Sequence, residues 1–298
     1  MRATTTKKIL FGYFIASILA GIVFAAWRTI LMIRYYDPYV KEYALEAEPS
    51  LEMFGWSLFV VILLIATSMF FFIRIGRMKR DYAFPAFSAA NHQATTFTSS
   101  LIGFLFLVIS VFLFFSLPSM LLPTVYVIFR YAQLTAFFLL FFVAAYFLIN
   151  AAGSSRFAQA KKFLAFVPPL WGMAFLIASY VNPDYLFKDF NHMLCNASLC
   201  ALTFFFLYEA KSSAIGKTTA AYLIFSLLSI VTCMAYIVPN FILLAYWELS
   251  SELNFIFEAV ELGAIVYTAS VAFHLISSLA PVEKEEEPSK EIAVSEET

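Results

Sequence analysis

Eight long apolar runs dominate what this chain can fold into: residues 9–33, 54–76, 97–117, 121–149, 163–181, 191–210, 218–246 and 253–279. A bilayer core needs about 20 mainly apolar residues per spanning helix, and each run meets or nearly meets that length. Hydrophobic residues make up 62% of the 298 and charged residues only 13%, so little chain is left for anything else. The sequence therefore predicts an all-α, polytopic membrane helical bundle of eight transmembrane helices, multi-pass in the cell membrane.

Charge gives the bundle a direction. With the N-terminus inside, the inner connections carry Arg2, Lys7, Lys8, Arg74, Arg77, Lys79, Arg80, Arg156, Lys161, Lys162, Lys211 and Lys217. The outer ones carry only Arg34, Lys41 and Lys188, among nine acidic residues that include Asp37, Glu46, Asp184 and Glu248. Lys and Arg beside helix ends are retained in the cytoplasm, so a 12 to 3 split predicts N-in and C-in topology with an even number of spans. Joining residues 97–149 into one helix would make a rod of roughly 80 Å at 1.5 Å per residue. Ser116, Pro118, Ser119 and Pro123 interrupt that stretch. The first apolar run is longer than the 7–15 residues usual in a signal peptide, so it reads as a retained first helix.

The longest connections, 34–53 and 77–96, are too short to build a core of their own. The sequence is thus read as an eight-helix transmembrane domain over 1–279 and a disordered acidic cytoplasmic tail over 280–298. That tail holds seven Glu and almost no large apolar group. Cys195, Cys200 and Cys233 fall inside the runs, where a free thiol behaves as a small apolar residue.

Charges at membrane depth cost about 2.5–3.5 kcal/mol each on insertion scales, so each asks for a partner. Arg28, Arg130, Glu258 and Glu261 all fall roughly 8–13 Å below the outer boundary at 1.5 Å per residue. Arg28 is close enough to its helix end to snorkel outward, and that is its expected state. In the last run Asn254, Glu258, Glu261 and Thr268 recur on one helical face, and Arg130 shares a face with Gln133. Asn240 follows Pro239, whose ring removes one backbone hydrogen bond and frees a carbonyl one turn earlier. Arg28, Arg130, Gln133, Asn240, Asn254, Glu258 and Glu261 are therefore candidates for ligand binding or for a buried ion pair. Arg130 is expected to contact Glu258 or Glu261. The inner half looks less polar, with Glu209, His274 and scattered hydroxyls such as Ser99. Pro168-Pro169 predicts a kink in the fifth run.

Other signatures fail on context. Gly216-Lys217-Thr218 lacks the earlier glycine and the strand of a phosphate loop. His192 and Cys195 could touch one metal ion but have no third ligand. The histidines are not placed to face one another across a haem. No HExxH or GxSxG is present. No catalytic residue, metal or cofactor is expected. The best-fitting function is a small outward-facing binding or transport protein of permease type. The alternative is a non-catalytic membrane sensor or interaction subunit. Expected partners are the lipid bilayer and another membrane or cytoplasmic subunit, with no nucleic acid. The sequence does not identify the small-molecule ligand.

Overall fold

The computed structural model describes residues 2–37, 42–43, 63, 66–67, 69–71, 73–76, 82–83, 92–120, 127–153, 155–181, 190–216, 218–247 and 252–281. Its helices are α1 (Arg2–Tyr35), α2 (Gln93–Met120), α3 (Val127–Ala152), α4 (Ala158–Leu164), α5 (Val167–Tyr180), α6 (Phe190–Ile215), α7 (Ala220–Trp247) and α8 (Glu252–Ser277). Helical residues also occur between 63 and 76. Two short antiparallel pairings complete the described chain. In one, β1 (Tyr36–Asp37) meets β2 (Glu42–Tyr43); in the other, β3 (Tyr82–Ala83) meets β4 (Ala280–Pro281).

Seven helical stretches among the described residues are long and apolar enough to cross a membrane, α4 and α5 together forming one of them. The protein is a multi-pass membrane protein. Its outer surface agrees with this. Along α2, Phe97, Phe104 and Phe115 are 69%, 59% and 77% exposed, a density of bare aromatic surface that hydrocarbon tolerates and water does not.

Helix order in space differs from helix order in sequence. α2 packs on α3, α3 on α5, α5 on α6, α6 on α7, α7 on α8, and α8 back on α2, which closes a ring of six helices. α1 lies outside that ring against α7 and α8. The 63–76 segment joins α1 there, with the Phe70 and Phe71 rings each 5.7 Å from that of Tyr13. The ring interior is filled by buried aromatics. Phe147 stacks on Phe106 at 5.8 Å, and Trp171 meets Phe106 edge-on at 5.3 Å. Such offset and edge contacts suit the ring quadrupoles as well as filling volume.

Helix direction follows from three contacts. Lys7 Nζ donates to the Ser277 carbonyl at 3.0 Å, which sets the start of α1 beside the end of α8. Thr98 and Ser270 share a hydroxyl hydrogen bond of 2.8 Å, and the His92 ring is 5.1 Å from that of His274. α1 and α2 therefore both run antiparallel to α8. The shared end carries Lys7, Lys161 and Lys211 and is called the basic end below; the other is the distal end. Gly153 and Gly216 stop α3 and α6 at the basic end with left-handed φ of 61° and 71°, the conformation that glycine adopts without a Cβ penalty. Gly216 is thus a helix terminator and not part of a phosphate loop.

Two expectations need adjusting. The kink predicted at Pro168-Pro169 is a full break two to three residues before Pro168, at Ala165 and Phe166. α4 closes with Ala165 N donating to Lys161 O at 2.9 Å, and α5 restarts with both prolines in its first turn. First-turn N–H groups have no intrahelical acceptor, so proline costs nothing there. The third and fourth runs are separate helices as expected, but the first of them does not end at Ser116–Ser119. α2 continues through Pro118 to Met120, and residues 121–126, with Pro123, lie outside the described residues.

Candidate functional site

Two polar layers are buried in the bundle, one towards each end. In the distal layer Arg28 does not snorkel outward, as its position near the helix end suggested. It is 4% exposed and turns into α7. Nη1 donates to the carbonyls of Ala235 at 2.9 Å and Tyr236 at 2.6 Å, and Nη2 donates to Asn240 Oδ1 at 3.0 Å. The guanidinium also lies 5.1 Å from the centre of the Tyr236 ring. The cause is local. Pro239 has no N–H for the carbonyl four residues earlier, which is Ala235, and its ring spreads the turn. A fork of fixed donors meets two neighbouring carbonyls and an amide in a way that a lysine ammonium would not.

Glu261, 4% exposed on α8, belongs to this layer. Both it and Arg28 lie close enough to Cys195 on α6 to act on it electrostatically. The structure thus brings Arg28, Asn240 and Glu261 into one layer. It leaves Gln133 exposed and Arg130 half-buried on α3. In the ring, α2 packs against both α3 and α8. The side chains of Asn254, Glu258 and His192 lie outside the described residues.

The layer near the basic end is built around Glu209, 2% exposed on α6. Its Oε1 accepts two phenolic hydrogen bonds, from Tyr146 of α3 at 2.7 Å and from Tyr267 of α8 at 2.5 Å. Asn150 Nδ2, one turn beyond Tyr146, donates to the Tyr267 hydroxyl at 3.4 Å. Tyr222 of α7 stacks on Phe205 at 5.2 Å and lies within electrostatic range of the carboxylate. Lys161 of α4 is close enough to act on Glu209, while Glu209 Oε2 and Asn150 Oδ1 are buried with no hydrogen-bond partner. Four helices of the ring thus converge on one carboxylate. Buried acids at membrane depth are expensive and mark functional sites by default.

Sequence reasoning noticed Glu209 but not its companions. A tyrosine is an unremarked member of an aromatic-rich run, and nothing in 121–149 or 253–279 says that Tyr146 and Tyr267 face the same point. The available signal was small: Tyr146 and Asn150 are four apart, so they share a face near the same membrane boundary as Glu209. The His92–His274 pair was missed for a similar reason, because a connection and a helix end meet only in the folded chain.

Among the described residues no three His, Cys, Asp or Glu side chains converge in a way that could hold a metal ion. Cys195, Cys200 and Cys233 are free thiols. No protein-family model, curated protein or solved structure matches this chain.

Proposed function

We propose that the protein is a small membrane binding or transport protein of eight spans, with both termini on the cytoplasmic side and a polar layer that opens outward. The eighth span is the 54–76 run. α1 and α2 are parallel, so the chain must return across the bundle between them, and this run is the segment long enough to do so. The charge distribution of the connections supports placing the basic end in the cytoplasm. The observation that carries the functional reading is that Arg28, Asn240 and Glu261 lie together in the distal layer. A bundle with only structural duties gains little from an acid there, because an apolar residue of the same volume packs as well without desolvation. Arg130 with Glu258 or Glu261 is proposed to complete the charge balance of this layer.

Cys195 supplies the test. In a Cys200→Ser/Cys233→Ser protein, a small charged methanethiosulfonate added to intact cells should modify Cys195 if the distal layer is wet from outside. Complete protection in cells, with reaction only after denaturation, would show a closed structural core and overturn the reading.

A further inference from the structure

Glu209 and its neighbours carry an inference that needs the membrane-spanning fold but not the transport reading. The hydrogen bonds around it do not balance. A tyrosine hydroxyl has one hydrogen to give, and a side-chain amide has two on nitrogen and none on oxygen. Tyr146 and Tyr267 both spend theirs on the same carboxylate oxygen, Oε1. Asn150 directs one N–H to the Tyr267 oxygen. Two acceptors then remain buried without a donor, Glu209 Oε2 and Asn150 Oδ1, in residues 2% and 1% exposed. What the carboxylate lacks is a donor at Oε2.

The charges around it point the same way. From the elements packed against Glu209, the titratable or charged groups that act on it are Tyr146 of α3, Lys161 of α4 and Tyr267 of α8, with Tyr222 of α7 also in range. Lys161 is the one cation in this group, and it makes no hydrogen bond to Oε2. The carboxylate is therefore held by two phenols on one side and bare on the other, in a medium where a lone charge is costly.

We propose that Glu209 is a reversible proton-binding site reached from the basic end, with Oε2 the atom that takes the proton. An O–H bond forms at Oε2 with a proton from the aqueous phase, the side chain becomes neutral, and no other bond changes. Tyr146 and Tyr267 keep their hydrogen bonds to Oε1 and position the group, while Oε2 gains a hydrogen for an acceptor of the Asn150 kind. Deprotonation restores the charge opposite Lys161. Three helices meet at this oxygen pair, so the two states differ in what joins α3, α6 and α8 at the centre of the ring.

Infrared difference spectra of the purified protein in nanodiscs, recorded between acid and alkaline pH, test this directly. The wild type should gain a carboxylic C=O band on acidification, and Glu209→Gln should lack that component while Glu261→Gln keeps it. Tyr267→Phe provides a second reading that leaves Glu209 in place: with one donor to the carboxylate removed, the midpoint of the band should move to higher pH. A difference spectrum that Glu209→Gln leaves unchanged would overturn the proposal, as would a midpoint unmoved in Tyr267→Phe. If Glu209→Gln does not fold, the Tyr267→Phe midpoint decides. Loss of the Cys195 reaction with an intact Glu209 band would refute the outward-open reading alone.

Discussion

Arg28 and Pro239 should be energetically coupled, and the coupling can be worked out from three hydrogen bonds. Arg28→Met keeps most of the side-chain volume but strips the donors from Ala235 O, Tyr236 O and Asn240 Oδ1. A hydrogen bond to a charged group contributes about 1.5–3 kcal/mol in water-soluble proteins, but polar contacts between membrane helices average only about 0.6 kcal/mol. Three bonds then amount to roughly 2 kcal/mol at the membrane value, with about 5 kcal/mol as a reasonable upper figure. Pro239→Ala alone restores an N–H that can close the ordinary helical bond to the Ala235 carbonyl. In that background one of the acceptors no longer needs Arg28. The loss on Arg28→Met should therefore shrink by about 0.6–1.7 kcal/mol, the range of single membrane hydrogen bonds, or roughly threefold to twentyfold in the unfolding equilibrium. Reversible unfolding of the four proteins by sodium dodecyl sulfate in mixed micelles measures this cycle. Strict additivity would refute the idea that Arg28 serves the proline break. Arg28→Lys should fall between wild type and Arg28→Met, because an ammonium cannot span both carbonyls and the amide.

Further outcomes follow from other contacts. A methyl group at Gly172 would overlap Thr203 Oγ1 where α5 meets α6, so Gly172→Ala should cost about 1–3 kcal/mol by overpacking. Thr203→Ala in the same protein should recover part of that loss, and a melting series reads both; no recovery would place the strain elsewhere. Cysteines introduced in 34–53 and in 77–96 should label from opposite faces of the membrane, and labelling of both from one face would sink the eight-span topology. Arg130→Ala should lower the yield of folded protein more than the same change combined with neutralised Glu258 and Glu261, and equal or additive losses would exclude the pairing.

The class of this protein was legible before any coordinates, because spanning a bilayer leaves a one-dimensional mark. Each helix must satisfy its own backbone within about 20 residues, so run length alone marks the spans. All the observed helices longer than 20 residues fall on predicted runs, within a few residues at most ends. Local rules also located Pro239 and the freed carbonyl before it. What they could not supply was the donor. Arg28 is more than 200 residues away, and whether it turns outward to water or inward to α7 depends on which helix packs beside α1.

The same division explains the two polar layers. Depth along each helix follows from counting residues, and it placed Arg28 and Glu261 at one level from the sequence alone. Rotation about each helix axis and the order of helices around the ring are not encoded by any local period when apolar residues cover every face. Those were decided by tertiary packing. It set Tyr146 and Tyr267 on one oxygen of Glu209 and left the other oxygen bare, and it placed α2 against both α3 and α8. In hydrocarbon the hydrophobic effect does not choose between helix faces, so close packing and a few buried hydrogen bonds make the choice, and only the folded bundle reveals it.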